Sequence, residues 1–222
     1  MLAPDVHLPA VSPPAISAPA ISPLTCLLSV TELSIERGGF ALFRPLSFQL
    51  HCGSVVMIAA DNGVGKTSLL RTLAGLASAA EGEFQWHVAA RELRFLGHQP
   101  GLKGALSLLD NLRFWLAQDQ CGWDAAAVEA GLRRFNLRGH EEQPAAALSA
   151  GQRRRVALLR LQLSPGQCWL LDEPFANLDQ HGIALVQELI ATRLAQGGSV
   201  ILTSHGQLPV PIAVLRVALV AV

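Results

Sequence analysis

The residues Ala60, Asp61, Asn62, Gly63, Val64, Gly65, Lys66, Thr67 and Ser68 place two glycines, a lysine and hydroxyl side chains between two apolar stretches. That pattern suits the capture of a polyphosphate. Successive backbone N–H groups wrap the phosphate oxygens, the positive end of a following helix adds to them, Lys66 supplies a point charge, and the Thr67 hydroxyl is available to Mg²⁺. The general pattern GxxxxGK[ST] begins with glycine, whereas Ala60 stands there and Asp61 follows it. Alanine costs little if its φ is negative and more if it is positive, and a carboxylate aimed at phosphate would oppose binding.

A second group of residues has the complementary chemistry. The apolar run Cys168 to Leu171 ends in Asp172 and Glu173, two adjacent acids where the chain leaves the core. Asp172 is expected to hold Mg²⁺ directly or through water, and Glu173 to polarise the water that attacks a γ-phosphate. Leu148, Ser149, Ala150, Gly151 and Gln152 open a segment of helical spacing (Val156, Leu159, Leu163), where a serine N-cap accounts for Ser149 alone. Gln99 and His205 each follow a short apolar run, and Asp179 closes Ala176-Asn177-Leu178-Asp179.

These residues need particular elements to hold them. Short alternating bursts from Leu28 to Leu50 predict antiparallel strands; the continuous run Val55 to Ala59 predicts a buried strand, and Lys66 to Leu76 a helix. Strands are expected again at Phe84 to Val88 and Leu93 to Leu96, then helices near Leu106 to Gln118, Asp124 to Phe135 and Gly151 to Leu163. Strand Cys168 to Asp172, helix Gly182 to Gln196 and strand Ser199 to Thr203 restore the alternation of a mainly parallel sheet. The run Val210 to Val222, broken by Pro211 and Arg216, is expected to be a final core strand rather than a membrane anchor.

The motifs, in this order, resemble those of the ABC (ATP-binding cassette) ATPases from Leu28 to His205. The resemblance implies an α/β fold: a P-loop NTPase core with an antiparallel β subdomain and a helical insert. It implies that LSAGQ is the signature segment, whose Ser149, Ala150, Gly151 and Gln152 bind the γ-phosphate held by a second subunit's P-loop. It also implies that Gln99 is the Q-loop glutamine, a metal ligand alongside Thr67 and Asp172, that His205 is the switch histidine, and that Asp179 belongs to the D-loop. The adenine-stacking aromatic of the family would fall near Arg37, whose guanidinium can also stack on a base; Phe40 is displaced by a few residues. FLGHQPGLKGALSLLDNLRFW and LSAGQRRRVALLRL resemble more narrowly the ATP-binding subunits of cytochrome c maturation haem-export systems. Those work as homodimers with integral membrane permease subunits, on the cytoplasmic face of the inner membrane. ATP and Mg²⁺ are the implied cofactors, and ATP hydrolysis coupled to transport is the implied activity.

Bulk properties bound the alternatives. A chain of 222 residues is long enough to bury about 70% of its unfolded surface in one core. The net charge of +0 removes the broad attraction that nucleic acid or an anionic membrane requires, so no nucleic-acid partner is expected. Arg153, Arg154 and Arg155 read as solvated helix surface or a dimer contact. Cys26, Cys52, Cys121 and Cys168 lie at no metal or redox spacing and fit a reducing compartment. No stretch of eighteen uncharged apolar residues occurs, so no direct membrane span is expected. Residues 1–26, with PAVS, PAIS and PAIS at a spacing of five, read as a Pro/Ala-rich disordered tail. Residues 27–222 read as the ATPase domain, with a helical subdomain at about 100–163. Two other readings stay open on sequence: a DNA-associated ATPase of the same class, and a regulatory subunit that binds nucleotide without hydrolysing it, which Ala60 and Asp61 motivate.

Overall fold

Strand β5 (Val55–Ala59) is apolar on both faces because both faces are covered. In the computed structural model, which describes residues 25–204 and 213–222, Val55 and Met57 point into one apolar cluster and Val56 and Ile58 into another. The same alternation runs through β8 (Cys168–Leu171) and β9 (Ser199–Thr203), so one sheet separates two cores. That sheet is parallel, in the order β10, β5, β9, β8, β7, with β7 at Leu93–Leu96 and β10 at Val214–Ala218.

One core lies between this sheet, helix α1 (Lys66–Leu73) and a three-stranded antiparallel sheet. The antiparallel sheet is β4 (Leu46–His51), β1 (Cys26–Ser34) and β6 (Glu81–Trp86), with β1 in the middle. A short hairpin of β2 (Glu36–Arg37) and β3 (Phe40–Ala41) turns at Gly38 and Gly39, both with positive φ. The other core joins the opposite face of the parallel sheet to α2 (Leu108–Gln118), α3 (Ala125–Arg134), α4 (Ala150–Leu163) and α5 (Gln180–Ala195). The α/β fold with its antiparallel sheet and helical insert is therefore present.

Helix boundaries follow their caps. Ser107 accepts the N–H of Asp110, so α2 starts at Leu108 rather than at Leu106, and Asp124 caps α3 by accepting the N–H groups of Ala126 and Ala127. Helix α1 stops at Leu73, short of the expected Leu76, because Gly75 (φ 73°) takes the left-handed conformation that ends a helix. Asp119, just past α2, ties the helices to the sheet: it pairs with Arg160 of α4 through two contacts of 2.9 and 3.0 Å and lies 3.5 Å from Arg94 of β7.

Two expectations need revision. The sequence predicts a core strand for the closing run, but among the described residues β10 is an edge strand whose one sheet neighbour is β5, and Leu215 is half exposed. Strand β1 begins at Cys26, the last residue assigned to the tail, while residues 1–24 lie outside the described residues. All four cysteines are free thiols, and burial pushes that of Cys168 up to about 12. Among the described residues no helix is long and apolar enough to cross a membrane.

Candidate functional site

The candidate site is built at the carboxyl ends of the parallel strands, where the loops after β5, β7 and β8 meet the end of β9, as is usual for ligand sites in open parallel sheets. After β5 the chain must reverse within a few residues to start α1. Gly63 (φ 85°) and Gly65 (φ 112°) make that possible, and a Cβ at Gly65 would also meet Leu42 and Phe43 at 3.1 Å. Ala60 is not among the residues with positive φ, so alanine costs little at the first position of the loop. Lys66 is buried, its ammonium donating to the carbonyls of Ala60 (2.7 Å) and Asp61 (3.1 Å). The loop is folded around its own lysine in this state.

A hydrogen-bonded chain of side chains joins this loop to the acids. Thr67 Oγ1 donates to Asp172 Oδ2 at 2.7 Å, and Thr203 Oγ1 donates to Asp172 Oδ1 at 2.8 Å. The Glu173 N–H donates to that same Thr203 oxygen at 2.9 Å. Asp172 is buried, and its carboxylate lies between two hydroxyls. Glu173 is held in the left-handed region (φ 51°), uncommon for a side chain of that size, and its carboxylate lies 3.7 Å from His98 Nδ1.

A cleft of about 440 Å³ is lined by Asn62, Gly63, Gly65, Lys66, Thr67 and Ser68, together with Arg37, His98 and Glu173. Arg37 is thus beside the loop, exposed, whereas Phe40 of the same hairpin is 79% exposed and does not line this cleft. Asp61 is exposed and is not part of the lining, nor is Val64. Gln99 faces a neighbouring cavity of about 420 Å³, shared with Ala150, Arg153, Arg154, Ala176 and Asn177, and His98 borders both. His205 lies outside the described residues.

Ser149 and Gln152 form a reciprocal cap at the start of α4: Gln152 N–H donates to Ser149 Oγ (3.1 Å) and Ser149 N–H to Gln152 Oε1 (2.8 Å). Ser149 and Ala150 are exposed and Gly151 is half-buried; none of residues 149–152 lines the cleft of its own chain, and Ala150 lines the neighbouring cavity. Asp179 caps α5 by accepting the Gly182 N–H at 2.8 Å and pairs with Arg155 at 2.7 Å. Those two contacts, the first foremost, hold its carboxyl below the ordinary range.

The arginine triplet needs correction. Arg155 pairs with Asp179 and Arg153 donates to Leu148 O, but Arg154, expected at a solvated or dimer surface, is 3% exposed. The period of α4 turns Arg154 inward, and burial lowers its guanidinium to about 10, still cationic at neutral pH. Thr203 and Arg154 were missed as parts of the site. A hydroxyl ending an apolar strand was the signal for Thr203; nothing local marked Arg154.

The family profile described as ABC transporter matches residues 43–176. The cytochrome c biogenesis ATP-binding export protein CcmA of Methylococcus capsulatus is 48% identical over 82% of this chain and 93% of its own. That of Vibrio cholerae is 44% identical over 81% and 91%. A solved structure of an ATP-binding subunit of an ABC transporter superposes with a TM-score of 0.72 at 24% identity, over 81% of this chain and 79% of that one, and bears on the fold alone. With a parallel sheet whose strand ends bring a glycine loop, a lysine and two acids together, and with these similarities, the chain belongs to the ABC transporter family as one of its ATP-hydrolysing subunits.

Proposed function

We propose that the chain works as a homodimer that binds ATP with Mg²⁺ and hydrolyses it, driving a cytochrome c maturation, haem-export type complex through integral membrane permease subunits on the cytoplasmic face of the inner membrane. The observation that supports it most is the chain of bonds Thr67–Asp172–Thr203–Glu173, which gathers the P-loop hydroxyl and both acids at one point. The transport setting rests on the likeness to the cytochrome c biogenesis export proteins.

The N–H groups of residues 61–68 and the Lys66 ammonium bind the β- and γ-phosphates, Lys66 exchanging its carbonyl partners for phosphate oxygens. Arg37 stacks on adenine from the hairpin beside the loop. The donor set fits a hard divalent cation: a hydroxyl at the helix start bonded to a buried carboxylate, all oxygen ligands. Thr67 and Asp172 would hold Mg²⁺, with Gln99 joining if its loop swings from the neighbouring cavity; bound there, the ion neutralises phosphate charge. Glu173 accepts a proton from water as its oxygen bonds to the γ-phosphorus and the bond to the β–γ bridging oxygen breaks, releasing ADP and phosphate. Ser149, Ala150, Gly151 and Gln152 close over the γ-phosphate of the other subunit, with Asp179 beside them; His205 keeps the switch-histidine role that the resemblance implies.

Phosphate release and nucleotide titration of the full chain test this reading. Lys66→Ala is expected to weaken ATP binding and abolish turnover, whereas Glu173→Gln keeps binding and loses turnover by at least about a hundredfold. Binding without any turnover in the unaltered protein with its membrane partners would instead leave a regulatory nucleotide binder.

A further inference from the structure

We infer that Arg154 is a positioning residue that ties the signature end of α4 to both loops flanking the γ-phosphate position of its own chain. Its guanidinium sits between two backbone corners. Nη2 donates to the carbonyls of Asp172 (2.8 Å) and Glu173 (2.6 Å); Nη1 donates to those of Gly97 (2.8 Å) and, at 3.5 Å, His98. The first pair belongs to the two site acids and the second leads directly into Gln99. One rigid planar fork therefore fixes the spacing between the acid-bearing strand end and the Gln99 loop.

The arrangement is a poor choice for stability alone. Arg154 is almost wholly buried, burial lowers its guanidinium, and its Nε finds no partner among the described residues. Well-packed apolar side chains commonly match or exceed a buried charge in stability, so the gain from this arginine is geometric. What it holds is a strained residue. Glu173 sits at φ 51°, a conformation that persists only when its surroundings over-determine it. Three of its bonds help to do so: its N–H donates to Thr203, and its carbonyl accepts from Arg154 and from the Ala176 N–H at 3.0 Å. Of these three anchors, only Arg154 rides on α4, two residues past Gln152 and five past Ser149. When the start of α4 moves over a partner subunit's nucleotide, Arg154 carries that movement to Glu173 and the Gln99 loop in its own chain.

This rests on the proposed role of Glu173, and the test separates the two. In the full-length protein, Arg154→Lys keeps the charge but has a single nitrogen, which cannot span both corners. Expected is faster backbone amide exchange at residues 97–99 and 172–174 together, with ATP affinity within about twofold of the unaltered chain and kcat lower by roughly tenfold or more, as for a misplaced catalytic group. Unchanged exchange at either segment would overturn the inference. So would a loss of kcat matched by an equal loss of affinity, the mark of a merely structural side chain. If Arg154→Lys does not fold, Arg154→Gln, which can serve one corner, is held to the same criteria. Full turnover by Glu173→Gln alongside coupled exchange changes in Arg154→Lys would retire the role of Glu173 and leave the clamp standing.

Discussion

Thr203 shows how much a single hydroxyl does at this site. It donates to Asp172 and accepts from the Glu173 N–H, so it orients one acid and pins the backbone of the other. Thr203→Val preserves volume but takes this hydroxyl away from the Glu173 N–H and from the buried Asp172 carboxylate. The expected cost is about 1–3 kcal/mol in urea unfolding, with kcat falling more than nucleotide affinity. A valine variant with unaltered kcat would mean that Glu173 holds its conformation without this bond. Asp61, the residue that weighed most against nucleotide binding in the sequence, is exposed and outside the cleft lining, so its charge is screened by water.

At the scale of elements, the site depends on how helices are capped and how closely they pack. Asp179 starts α5, and its depressed carboxyl means that the stability it adds is complete above about pH 4 and is lost as pH falls through the lowered value. Asp179→Asn keeps a competent cap without the titration, so the acid side of a stability-against-pH curve is expected to flatten. Helices α3 and α4 meet at Gly131, where a Cβ would come within 2.3 Å of Leu159 Cδ1, itself fully buried. Gly131→Ala is therefore expected to destabilise by about 1–3 kcal/mol, lowering the melting temperature by several degrees. A rise in melting temperature would show that Leu159 yields at less cost than the roughly 1 kcal/mol of helix propensity that alanine gains over glycine.

Over the whole molecule, the start of α4 does not line the P-loop cleft of its own chain, and the proposed mechanism has a second copy supply that segment to the γ-phosphate. Light scattering with Glu173→Gln is expected to show a monomer without nucleotide and a dimer with ATP and Mg²⁺, and Gly151→Glu in that background to abolish the dimer. A persistent monomer at high ATP would remove the two-chain mechanism. The Asp119 contacts to Arg160 and Arg94 join α4 to β7, the strand that precedes Gln99, a second tie beside that of Arg154.

The parts legible in the sequence were those whose conformation is set by near neighbours. Gly63 and Gly65 dictate a turn, Ser149 writes a helix start, and apolar runs such as Val55–Ala59 and Cys168–Leu171 announce buried strands. These choices depend on local backbone sterics, local hydrogen bonds and side-chain periodicity. Contacts across long stretches of chain decided the rest. Arg154 reaches carbonyls 18 to 57 residues away, Thr203 meets Asp172 across 31, and β10 lies at a sheet edge because of where β5 stands. A side chain's partners depend on which distant segments the packed cores bring beside it, and local spacing carries no record of that.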